Sequence, residues 1–147
     1  MLFWFLATSV FTVFFVFRSP AFDYRPLMVG SLIPLAGLVA GMKVLHSMVF
    51  AVAFLAVVML ATIGHRLVRR RLLGLPVGLM LHLVFTGAWT NDKLFGWPLF
   101  GWDIGDATHP VVARGWWNVP LEVAGLVGCY VIARRIDWRS GRIASLP

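Results

Sequence analysis

The chain has 147 residues, 60% of them hydrophobic and 13% charged, with a net charge of +7. A soluble domain carries about 25% charged residues, so there is too little polar side chain to cover a water-facing globule, and disorder would need the opposite bias. An integral membrane class remains, as one domain over residues 1–147.

Met1–Phe17 is apolar apart from Thr8, Ser9 and Thr12. It has no positive leader and no small-x-small cleavage site before Arg18, so a retained first span is expected rather than a cleaved signal. Arg18–Pro26 reads as a polar connector. Leu27–Leu45 is the second apolar stretch, with Gly30, Pro34, Gly37 and Gly41 in it. Proline removes a backbone donor and bends a helix, so this stretch is a bent span or a re-entrant hairpin.

Met48–Ile63 is a third apolar span, ending in His65, Arg66, Arg69, Arg70 and Arg71. Leu72–Trp89 is a fourth, with His82 inside it. Thr90–Asn118 is rich in Trp, Gly and Asp. Val119–Ile132 is the last span, with Glu122 near its start, and residues 133–147 form a basic tail. The expected fold is all-α: a polytopic helical membrane protein of about five spans.

Basic residues mark the cytoplasmic side of a membrane protein. With the 66–71 cluster inside, five alternating spans place ten of the 13 basic residues inside, leaving only Lys43, Lys93 and Arg114 outside. The topology is therefore N-out and C-in, with 133–147 a cytoplasmic tail. The positive charge then serves orientation and contact with anionic lipid, not nucleic acid. Trp89, Trp97, Trp102, Trp116 and Trp117 fall in an outer segment, residues 90–118 and its edge. Trp prefers the headgroup level, so that segment is expected along the outer surface.

The scarce polar groups define the candidate site. An ionisable residue inside an apolar span is costly and marks a functional position, which singles out His82. His46 opens the outer turn between the second and third spans, and His82 lies about 10 Å below the outer end of its own, at 1.5 Å per residue. A bend in the second span would let both rings face one outer-side pocket. Asn91, Asp92, Asp103, Asp106 and His109 belong to the same side. Imidazole and carboxylate suit a divalent ion such as zinc, which needs three protein ligands and an open position for catalysis. Structural alternatives stand beside these roles: a cap for Asp92, a helix-dipole partner for Glu122, solvated loop charges for Asp103 and Asp106, and close packing for the glycines. The single Cys129 reads as a small buried hydrophobe and excludes an intrachain disulfide.

Four features occur in order: Gly30-Ser31-Leu32-Ile33-Pro34, His46-Ser47, His82 inside an apolar run, and Trp97-Pro98. With the stretch Leu79–Phe100 they resemble the membrane-bound metal-dependent hydrolases, also described as LexA-regulated inner-membrane hydrolases, over roughly residues 27–102. The resemblance implies an inner-membrane location and a divalent metal held by His46 and His82, with Asp92 as a further ligand or base. Water would be activated against a lipid-like ester or phosphoester at the outer face. Two positions depart from the family's pattern: Leu35 follows Pro34 and Thr86 follows His82 by four, where the family carries acids. A degenerate member, or a non-catalytic subunit or scaffold packed against a larger membrane complex, is the alternative expectation.

Overall fold

The computed structural model describes residues 1–17, 22–99, 101–102, 114–137, 140 and 142–143. Among them the fold is all-α apart from one short hairpin. The helices are α1 (Leu2–Phe17), α2 (Tyr24–Val39), α3 (Met48–Ala61), α4 (Arg66–Leu72), α5 (Gly74–Thr86), α6 (Asp92–Phe95) and α7 (Asn118–Arg135). Single 3-10 turns lie at Lys43–His46, Ala88–Thr90 and Gly115–Trp117. After α7, β1 (Ile136–Asp137) pairs antiparallel with β2 (Arg142–Ile143), Ile136 opposite Ile143.

Local chemistry explains where the helices depart from expectation. Residues 18–26 are not all connector. Asp23 accepts a hydrogen bond from the Arg25 amide at 3.1 Å, and Pro26 sits in the first turn, where an amide has no intrahelical partner to lose. α2 therefore begins three residues before the apolar run. It then continues through Pro34 to Val39, as one helix and not a hairpin. Gly41, at φ 75°, turns the chain after it. The basic cluster at 66–71 is helical, and α4 leads through Leu73 almost directly into α5.

Glycines set the two closest helix pairs. A Cβ on Gly30 would meet the Leu75 carbonyl, and one on Gly78 would meet the backbone of Leu27, Gly30 and Ser31. Leu27 also approaches Gly74, so α2 and α5 run parallel in near backbone contact. A Cβ on Gly125 would likewise strike the backbone of Phe3 and Trp4, and one on Gly128 the side chains of Ala7 and Phe11. Hence α1 and α7 are parallel too. Small residues let helices approach in this way, as expected for Gly30, Gly74, Gly78, Gly125 and Gly128, whereas Gly41 and Gly87 serve positive-φ turns. Two apolar clusters fill the remainder, one around Val10, Val13, Tyr24, Leu27 and Ile132, the other around Ala51, Leu79, Leu83 and Ala88.

Polar side chains share the interior with the apolar ones, and many apolar side chains are exposed. Ser9, Ser31, His46, Ser47, Thr62, His82 and Thr86 are buried, while Val39, Leu67, Val57, Leu60, Val84, Val123 and Val127 are exposed. By length and composition, one helix among the described residues can cross a membrane: Gly115–Arg135, 21 residues at mean hydropathy 1.2. α1, α2 and α3 are apolar but span 14 to 16 residues each.

Candidate functional site

The site forms where α1, α2, α5 and the 3-10 turn before α3 converge. His82 projects from the middle of α5 and is fully buried, at 0% exposure. Its Nδ1 lies 2.7 Å from the Ser31 carbonyl of α2. A carbonyl only accepts, so Nδ1 carries the proton and donates, which leaves the lone pair on Nε2. Gly78, one turn before His82, makes this bond possible by letting α5 reach the α2 backbone. Phe5 of α1 covers His82, its ring centroid 4.0 Å from the imidazole.

His46 ends the 3-10 turn and is likewise at 0% exposure. Its ring meets His82 edge to face, with centroids 5.5 Å apart. The turn thus folds the chain after α2 back over α5, and Ser47 fixes it there. Ser47 caps α3 by accepting from the Val49 amide at 3.1 Å. Its hydroxyl also donates to the Trp97 carbonyl, a contact that ties down the segment after α6. Trp97 and Pro98 are joined by a cis peptide bond.

Two buried polar atoms at the site have no hydrogen-bond partner among the described residues: His82 Nε2 and Thr86 Oγ1. Each such atom costs about 1–3 kcal/mol if nothing fills its need. Thr86 lies four residues after His82 on one face of α5. The donor set fits a divalent ion in part. A ring centroid lies about 3.2 Å from a zinc bound at ~2.0–2.1 Å, so two histidines at a tetrahedral angle would have centroids about 5.2 Å apart. The separation of 5.5 Å is close to that. A bond from Nδ1–H to a carbonyl is also the usual way a ligand histidine is oriented.

The carboxylates stand differently. Asp92 is exposed at the first position of α6, and the expected capping role there belongs to Asn91, whose side chain accepts from the Leu94 amide. Among the described residues no group of three or more His, Cys, Asp or Glu could hold a metal. Asp103, Asp106 and His109 lie outside the described residues. Glu122 does serve a helix end, though on a different helix from the one expected. It is the fifth residue of α7 and accepts from the Phe3 and Trp4 amides at the start of α1, at 3.2 and 3.5 Å.

Arg114 carries no marker in the sequence beyond being an outer-side base. Its guanidinium donates to the Phe85 and Thr86 carbonyls, at 3.3 and 2.8 Å, where α5 ends at Gly87. A cation there satisfies open carbonyls and favours the negative helix end. It holds the α5 end that carries His82 and Thr86. Trp89, Trp102, Trp116 and Trp117 are exposed, while Trp97 is half-buried and donates to the Trp102 carbonyl at 3.2 Å.

No protein-family model, no curated protein and no solved structure matches the chain.

Proposed function

We propose that the chain is a five-pass inner-membrane protein, N-out and C-in, which holds a divalent metal ion such as zinc between His46 and His82. The reading follows the hydrolases the sequence resembles, with a lipid-like ester or phosphoester as substrate class. It rests on one observation above all: two fully buried imidazoles 5.5 Å apart, with the Nε2 lone pair of His82 left open. Intramembrane ionisable groups are seldom retained without such a use. An ion held there would act as a Lewis acid on a substrate oxygen. Ser31 orients His82, Phe5 excludes water from its ring, and Arg114 secures the helix end. Asp92, on the outer cover, is assigned the base.

The many exposed apolar side chains support the membrane part. So do the two parallel pairs, because five alternating passes make α1 and α7 run one way and α2 and α5 the other. Cysteines introduced at Lys93 and Arg70, in a Cys129→Ala background, test it: an impermeant maleimide is expected to label position 93 from outside and position 70 only from the cytoplasmic side. The reverse pattern, or labelling of both from one side, would refute the topology.

Metal analysis of the detergent-purified chain tests the site. About one zinc per chain is expected, lost in His46→Ala and in His82→Ala. A metal-free parent in zinc-supplemented preparations would refute the ion. A second reading has its own support: both histidines are closed off, and Leu35 and Thr86 stand where acids belong. On that reading the pair is structural and the chain is a non-catalytic subunit of a larger membrane complex.

A further inference from the structure

A shallow, open apolar groove of about 90 Å³ runs along the C-terminal ends of α1 and α7. Phe11, Phe14 and Phe15 of α1 line one wall, Ile132 of α7 the other, and Ile143 of the hairpin also borders it. Arg135, in the last turn of α7, is the one charged residue on its lining among the described residues. The two arginines ending α7 are not equivalent. The guanidinium carbon of Arg134 sits 4.7 Å over the Tyr130 ring, a cation–π contact. Arg135 is exposed and has no carboxylate partner among the described residues.

We infer that this groove binds a phospholipid with an anionic headgroup, its phosphate on Arg135 and one acyl chain along Phe15, Phe14 and Phe11. The inference rests on the membrane reading above. Charge selects the occupant. A guanidinium matches a phosphate with paired hydrogen bonds, and the basic end of the chain is the cytoplasmic end in the proposed topology, where anionic lipid attracts basic residues. An apolar helix seated in the same groove would strand the Arg135 charge against hydrocarbon. The three phenylalanines form a slot that suits a flexible chain, and the guanidinium of Arg135 at its end suits one anionic group.

The test uses the full chain in nanodiscs of equal phosphatidylglycerol and phosphatidylcholine, with lipids retained after detergent extraction counted by native mass spectrometry. Phosphatidylglycerol is expected to be enriched about fivefold, the gain one basic residue gives at an anionic surface. Arg135→Gln is expected to abolish the preference, and Arg134→Gln to keep it. Phe15→Glu places a carboxylate beside the groove and is expected to remove the preference with Arg135 intact. It decides the matter if the glutamine variant does not insert. Equal retention of both lipids by the parent, or a preference that survives Arg135→Gln or Phe15→Glu, overturns the inference. A chain that alkaline carbonate strips from vesicles refutes the five-pass reading and the lipid site together. A chain that stays embedded yet shows no preference refutes the lipid site alone.

Discussion

Gly78→Val is expected to destabilise the protein by more than about 3 kcal/mol, enough to separate α2 from α5. The sign is not obvious from helix propensity. Glycine is the poorer helix former by a few tenths of a kcal/mol, so valine at an exposed helical position would be neutral or better. Packing reverses this. The added Cβ alone would overlap the backbone of Leu27, Gly30 and Ser31. Backbone atoms cannot rotate aside as a side chain does, so the two helices must part. Overfilling an ordinary core site costs about 1–3 kcal/mol, and here the Ser31–His82 hydrogen bond is lost as well. Gly41→Ala is the comparison: nothing lies within 4 Å of its Cβ, but its φ is 75°, so the cost is confined to backbone strain of about 1–2 kcal/mol. Unfolding in mixed micelles, followed by circular dichroism, measures both. A Gly78→Val protein as stable as the parent would show that α2 and α5 do not meet at this position.

That contact also explains what could be read from the sequence. His46 and His82 stand out because each is polar within an apolar stretch, and the glycines because they recur inside apolar runs. Helix positions followed for the same reason: α1 and α3 are near-continuous apolar runs, and a run of that kind declares itself without any partner. What stayed hidden depends on residues far apart in the chain. Glu122 looked like a partner for its own helix, yet it caps α1, because Gly125 brings α7 onto the first turn of that helix. Arg114 had no local signal for its role at the end of α5, 28 residues earlier. Asn91 and Asp92 are both good caps, and only the observed turn at 88–90 shows which one faces the Leu94 amide. At Pro34 the sequence left a bent span and a hairpin open, and α2 runs through it as one helix. Pro26 looked like connector, yet it does not delay α2, because a proline in the first turn removes an amide with no partner to lose.

Thr86→Asp is expected to turn the protein into one whose stability depends strongly on zinc. Position 86 is one helical turn beyond His82 on the same face of α5, and its hydroxyl is buried with no partner among the described residues. A carboxylate there adds the third ligand that a two-histidine site lacks. Without metal, the variant must bury a charge or hold it neutral, and an uncompensated buried charge costs about 3–5 kcal/mol. With metal, binding to the folded state returns about 2.7 kcal/mol at a zinc concentration 100 times Kd. The unfolding midpoint of the variant should therefore start below that of the parent and rise with zinc by a larger increment. Thr86→Asn has the same shape and is a weak ligand, so it should start low and stay there. Thr86→Asp combined with His82→Ala should lose the zinc response. The competing outcome is set by Arg114, whose guanidinium already lies at the Thr86 carbonyl. If the new carboxylate pairs with Arg114, stability is regained without zinc, and the midpoint does not move when the ion is added. A midpoint that stays flat when Arg114 is also replaced by Gln would refute a metal-binding arrangement at His46 and His82. A zinc-dependent rise confined to the aspartate variant would mean that the chain keeps the geometry of a metal site from which a carboxylate is missing.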